Sequence, residues 1–163
     1  MNRNTYTAPL EYCFIPSHKG APYFIPTLEK YVNMGQLVEL FARVHRNLEI
    51  GACDNKPWNK GSDIEEYAIS IKSSGASLAS IYAPTKREII KIYFNGCPST
   101  TWLYITMIDD QVIEYEMNAN EFKMFLENFA EMTYESGHHD RTKLRFKKTS
   151  GKMLKWLDEM ASI

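Results

Sequence analysis

Two acids and a lysine stand where one reaction could use them: Glu39, Asp63 and Lys72. Carboxylates and water are the usual ligands of a hard divalent cation such as Mg²⁺, which polarises a phosphate and generates hydroxide. A nearby lysine can orient that water or stabilise the developing charge. The combination points to metal-dependent cleavage of a phosphodiester. Each residue also has an ordinary use. Glu39 precedes Arg43 by four residues, a helical pair worth a few tenths of a kcal/mol. Asp63 follows Gly61-Ser62 and suits a turn. A lysine that ends an edge strand discourages aggregation.

Other chemistries find no support. No Gly-rich phosphate loop, HExxH, GxSxG or EF-hand pattern occurs. His138 and His139 are adjacent, so their side chains diverge, and they read as solvated loop histidines. Cys13, Cys53 and Cys97 are odd in number and form no CxxC. They predict reduced thiols, with neither a zinc ribbon nor a disulfide framework. Cys97 reads as a buried cysteine. No apolar run approaches the roughly 18–20 residues of a membrane span. No basic start leads into an apolar core, as a signal peptide requires. The expectation is a soluble, cytoplasmic protein without membrane partners.

Net charge is −1 over 163 residues, which gives no global pull toward nucleic acid. The distribution says more. Asp109–Glu135 carries eight acids and one base, Lys123, whereas Arg141–Lys155 carries seven bases and no acid. This is either two opposed faces, an ion-pair network, or a basic patch for phosphates.

The elements that must position these groups follow from patterning. Hydrophobic residues make up 44% of the chain and aromatics 13%, enough for one sizeable core. Residues 1–32 hold Pro9, Pro16, Pro22 and Pro26 among Tyr6, Tyr12, Phe14, Tyr23 and Phe24. They predict an extended arm with one or two short edge strands. Residues 33–163 form the main domain. Asn33 and Gln36 make a capping box, with Val32 stapling onto Leu37. Leu37, Leu40, Phe41, Val44 and Leu48 form the buried stripe of the helix that follows. Glu39, Arg43 and Arg46 lie on roughly its opposite side. Residues 49–62 read as a loop anchored by Trp58.

Strands are expected at Tyr67–Lys72, Ser77–Ala83, Glu88–Phe94, Thr101–Ile108 and Val112–Met117. In the first, Tyr67, Ile69 and Ile71 form the core face. In the last, Glu114 and Glu116 face outward. Asn118 and Glu121 open a second capped helix, with Phe122, Phe125, Leu126, Phe129 and Met132 as its stripe. A strand at Thr142–Lys148 and a helix capped by Ser150 complete the chain. The fold class is α+β. One mixed, mostly antiparallel sheet of about five to six strands is expected, with three helices and the arm.

The order of helix glutamate, aspartate and strand lysine (Glu39, Asp63, then Ser70-Ile71-Lys72) resembles the PD-(D/E)XK nuclease superfamily over about Gly35–Glu127. That resemblance implies Glu39 and Asp63 as Mg²⁺ ligands and Lys72 as the catalytic lysine. Ser70 stands where the family has its second acid. On one continuous strand, Asp63 and Lys72 would lie about 30 Å apart, so the resemblance requires Glu65-Glu66 to turn the chain. The wider chain also resembles small proteins of Gram-positive mobile elements, through Gly35–Glu39, Gly61–Ile64, Ile71–Ser74 and Arg145–Lys148 with Lys152-Met153. This implies a part in defence, counter-defence or transfer.

Two functions stay open on the residues. One is a small PD-(D/E)XK-like nuclease, or a degenerate relative, acting on DNA or RNA. Lys60, Arg145, Lys147, Lys148 and Lys152 would then hold phosphates. The other is a non-catalytic inhibitor of a host defence nuclease, such as a CRISPR effector or restriction enzyme. Its acidic block, Glu114 and Glu116 included, would mimic nucleic acid against a basic partner.

Overall fold

A computed structural model of the chain describes residues 1–12, 23–50, 59–81, 83, 85–135, 138–146 and 148–162. Cys13, Phe14, Pro16, Pro22, Cys53, Trp58 and Lys147 lie outside the described residues.

The centre is a four-stranded mixed sheet. β6 (Thr101–Ile108) and β7 (Gln111–Met117) are joined by the Asp109-Asp110 turn and pair antiparallel. Asp109 takes the left-handed conformation, at φ 55°, which an aspartate tolerates in a tight turn. β1 (Asn2–Thr7) adds antiparallel to the outer side of β7. On the other side β4 (Ile69–Lys72) runs parallel to β6 and forms the sheet's edge. A parallel neighbour requires a crossover, which β5 (Ser77–Ile81) and the helix α2 (Lys86–Gly96) provide.

Both faces of this sheet are covered, which is why β6 is apolar throughout. Leu103 and Ile105 of β6 pack with α1 (Met34–His45) and with the hairpin of β2 (Tyr23–Ile25) and β3 (Lys30–Val32). Trp102 and Tyr104 point the other way. They meet α2, α3 (Ala119–Phe129) and α4 (Gly151–Ala161) in an aromatic core. Trp102 stacks on Phe122 with ring centroids 5.3 Å apart, and Phe125 stacks on Phe146 at 4.8 Å. Beside this core, β8 (Ala130–Glu135) and β9 (His138–Phe146) pair with β5 in an antiparallel three-stranded sheet.

The α+β class holds, and the two capping boxes form as expected, Asn33 with Gln36 and Asn118 with Glu121. Several details differ. Among the described residues there are three small sheets rather than one, and four helices rather than three. Residues 88–94 are helical: Thr85 caps α2, which buries Ile89, Ile90 and Tyr93 at one- and three-residue steps. An apolar run dense enough to alternate is also dense enough to fill a helical face. The α3 stripe stops at Phe129, and Met132 belongs to β8, whose partner β9 comes later in the chain. His138 and His139 lie in β9 rather than in a loop. Tyr67 is not core: it sits in a 3-10 turn, 55% exposed.

Candidate active site

The turn that Asp63 and Lys72 require is present. Glu65–Tyr67 form one 3-10 turn, closed by Ala68 in the left-handed region at φ 53°. Ile64 and Ile69 then bond to each other in both directions as an isolated antiparallel bridge. The chain doubles back, and Asp63 lies along the free edge of β4. There its Oδ2 accepts the Ile71 amide at 2.6 Å. A charged acceptor on a strand-edge amide is among the stronger hydrogen bonds, so this carboxylate is held in place rather than swinging in solvent.

Lys72 ends the same strand. Alternation puts it on one face with Ser70, and Ile69 and Ile71 on the other. Burial strips water from its ammonium and pulls its pKa below the ordinary lysine value; the charges of Asp63 and then of Cys97 act against that fall. Asp63 and Lys72 are therefore within electrostatic reach of each other.

Glu39 arrives from α1. It is not a solvated residue opposite the stripe, since only 9% of it is exposed. Its neighbour Arg43 explains why a carboxylate tolerates that burial. Arg43 Nε lies 3.6 Å from Glu39 Oε1, and its Nη2 donates to the Asp63 carbonyl at 2.8 Å. A longer contact of 3.7 Å reaches Glu66 on the turn. One guanidinium thus ties the helix acid to the backbone of the strand acid.

Glu39, Asp63, Ser70 and Lys72 all line one cavity of about 490 Å³, which wraps the free edge of β4. Asn33–Gly35 close one side and Ser73–Leu78 another. Ser70, a wall residue, begins a chain of hydroxyls that runs behind the wall. Ser99 Oγ lies 2.7 Å from both Ser62 Oγ and Ser70 Oγ, and all three serines are buried. Tyr93, reaching in from α2, accepts the Trp102 indole N–H at 2.9 Å. Burial and then the neighbouring Cys97 push its phenol well up, so it remains protonated. Ser70 is therefore a buried hydroxyl whose partner is already present. Ser99→Ala leaves two buried hydroxyls short of a partner and should lower stability by about 1–3 kcal/mol, read from urea midpoints.

Of the expected phosphate contacts, some border the cavity. Arg145 is exposed and its Nε donates to the carbonyl of Gly75, a wall residue, at 3.3 Å. Lys148 is exposed beside Thr149, whose amide donates to Ser74 Oγ at 2.9 Å. Lys60 is exposed next to Gly61. Lys152 lies in the first turn of α4 and is not a wall residue.

Ser62, Ser99, Tyr93 and Arg43 had no place in the motif. Only the crossover that brings Cys97–Ser99 under β4 makes three of them neighbours. Arg43 alone left a signal, its spacing from Glu39.

Among the described residues no group of three or more His, Cys, Asp and Glu is placed to hold a metal. Two carboxylates remain, Glu39 and Asp63. That set fits Mg²⁺, which keeps several waters and commonly takes one or two protein carboxylates besides substrate phosphate. It does not fit a tightly caged calcium or zinc.

Glu114, expected to face outward, is fully buried. Arg46 forks onto both of its oxygens at 2.8 and 3.1 Å, and the Tyr6 hydroxyl donates at 2.7 Å. The acidic block is not one continuous surface. No family model matches the chain, and neither a curated protein nor a solved structure matches it. Among the described residues no helix is long and apolar enough to cross a membrane.

Proposed function

We propose that this chain is a small PD-(D/E)XK-like nuclease with a reduced acidic set, acting on nucleic acid in the cytoplasm. The reading rests on one observation: Glu39, Asp63 and Lys72, distant in sequence, line a single cavity. A phosphodiester entering along the Ser73–Leu78 wall meets Arg145 and Lys148 at the rim, and these hold its neighbouring phosphates. Lys72 directs its ammonium at the scissile phosphate, where low local hydration strengthens its stabilisation of developing charge. Asp63 stays fixed by the Ile71 amide, and Arg43 links Glu39 to the Asp63 backbone carbonyl. Mg²⁺ held by these two carboxylates would supply phosphate polarisation and a hydroxide at neutral pH. Ser70 contributes a hydroxyl in place of a third charge, so weaker metal retention than in a three-acid site is expected.

The test is cleavage of labelled DNA and RNA with Mg²⁺ or with EDTA. Cleavage should require Mg²⁺, and Asp63→Ala should lower it about 100-fold or more, the scale of losing one preorganised charged group. Equal cleavage by the parent and Asp63→Ala would remove the assignment.

A further inference from the structure

A second cavity, of about 730 Å³, lies between α2 and α3 and shares no lining residue with the first. Its charge is the informative feature. Arg87 and Lys91 stand one turn apart on α2, and Lys123 faces them from α3. All three are exposed, and among the described residues none forms an ion pair. The single acid in the lining is Glu127. Its backbone carbonyl, not its carboxylate, accepts Lys86 Nζ at 2.8 Å, so the Glu127 charge stays in the lining and offsets one of the three cations. The fold therefore brings three cations and one acid into one concavity, an excess of two positive charges for an anionic occupant to neutralise.

Shape narrows what that something is. The two helices pack against each other through Phe94 and Phe122, with ring centroids 6.0 Å apart. Axes of packed helices lie about 8–10 Å apart, so the cleft between their ridges is on the scale of one extended chain. Phe94 is half-buried in its wall, and its ring is fixed edge-on against Trp102 at 5.2 Å. A fixed ring with cations on both sides suits an unpaired base and its phosphates. Asn95 and Asn120 add amides that donate and accept.

We propose that the α2–α3 groove binds a single strand of DNA or RNA through its phosphates. This rests on the nuclease reading for the strand's role as substrate, and names its class. Binding itself needs no catalysis.

The experiment is fluorescence anisotropy with labelled oligo-dT and oligo-U of about 15 nucleotides, within the span such grooves cover. EDTA is present throughout and salt is varied. The Arg87→Gln/Lys91→Gln/Lys123→Gln variant changes only exposed side chains, and circular dichroism checks its fold. It should bind at least tenfold more weakly, and its log K against log salt slope should shrink by about 2, three contacts at about 0.7 each. Unchanged affinity and slope would overturn the proposal. So would equal affinity for a duplex, or displacement by poly-glutamate at the same charge concentration, which would mark the groove as a site for acidic protein. Lys72→Ala is measured alongside. It should bind like the parent in EDTA and fail to cleave in Mg²⁺. If it cleaves normally, the nuclease reading falls while the groove's binding is judged on its own.

Discussion

Lys72→Met should raise the melting temperature and abolish cleavage together. The two effects have one cause. In the fold the Lys72 ammonium is desolvated, and that burial outweighs the favourable charges of Asp63 and Cys97. An unfolded lysine has no such penalty, so the charge costs stability. Methionine keeps most of the volume without the charge. Asp63 does not lose its anchor in the variant, because the Ile71 amide still holds its Oδ2. A gain on the order of 1 kcal/mol, typical of removing a functional strain, would lift the midpoint about 2–4 °C in a chain of this size. Cleavage should fall by about 100–1000-fold, the scale of losing one preorganised charge.

The pH dependence has a definite sign. The folded pKa lies below the unfolded one, so between the two the unfolded chain binds more protons. Stability then rises with pH, from the lowered value up to the ordinary lysine value of 10.5. The Lys72→Met variant should lack that alkaline rise. Cleavage that depends on the ammonium should decline as pH climbs through the lowered value, earlier than an exposed lysine would allow. Calorimetry across alkaline pH and a pH–rate profile measure both. A lower melting temperature with normal cleavage would show that Lys72 is only a strand terminus.

Local signals were the legible ones. Asn33 with Gln36 and Asn118 with Glu121 sit three residues apart, and a capping box needs nothing from elsewhere in the chain. The β6–β7 pair was legible for the same reason, since its turn and both strands are contiguous. Errors arose where distant partners decide. Ile89, Ile90 and Tyr93 fit a strand or a helix; the Thr85 cap and packing on α3 choose the helix. Met132 extends the α3 stripe on paper, but pairing with Leu144 takes it into a strand. The same division runs through the candidate site. Glu65-Glu66 could be seen as a turn that would join Asp63 to β4. The Ser62–Ser99–Ser70 chain could not, because the crossover through α2 brings Ser99 beneath the edge strand. Nor could sequence reveal the α2–α3 groove, since a strand would have alternated Arg87 and Lys91 with residues of its other face differently from a helix turn.

The largest stability effect should come from a residue with no part in the cavity. Glu114→Ala is expected to cost about 3–5 kcal/mol, the scale of removing one partner from a buried ion pair. Glu114 is wholly buried, and Arg46 is only 15% exposed. Burial works against the Arg46 charge, but Glu114 outweighs it and holds the guanidinium above its ordinary value. Without the carboxylate, Arg46 keeps the penalty and loses the partner. The Tyr6 hydroxyl loses its acceptor too, and Tyr6 is the residue by which β1 and the stacked His45 ring, 3.9 Å away, share one contact. The midpoint should fall by about 10 °C. Replacing both charges, as Arg46→Met with Glu114→Leu, should recover most of the loss, because two apolar groups leave nothing unpaired. A double-mutant cycle in urea gives the coupling directly. The same geometry separates two residues that sequence treats alike. Glu116 is partly exposed on the same strand face, and Glu116→Lys should cost under about 1 kcal/mol. Glu114→Lys would set a lysine against Arg46 and should unfold the protein. Lost partner binding in that variant would therefore report a lost fold, and only Glu116→Lys can test whether the acidic strand meets a basic surface.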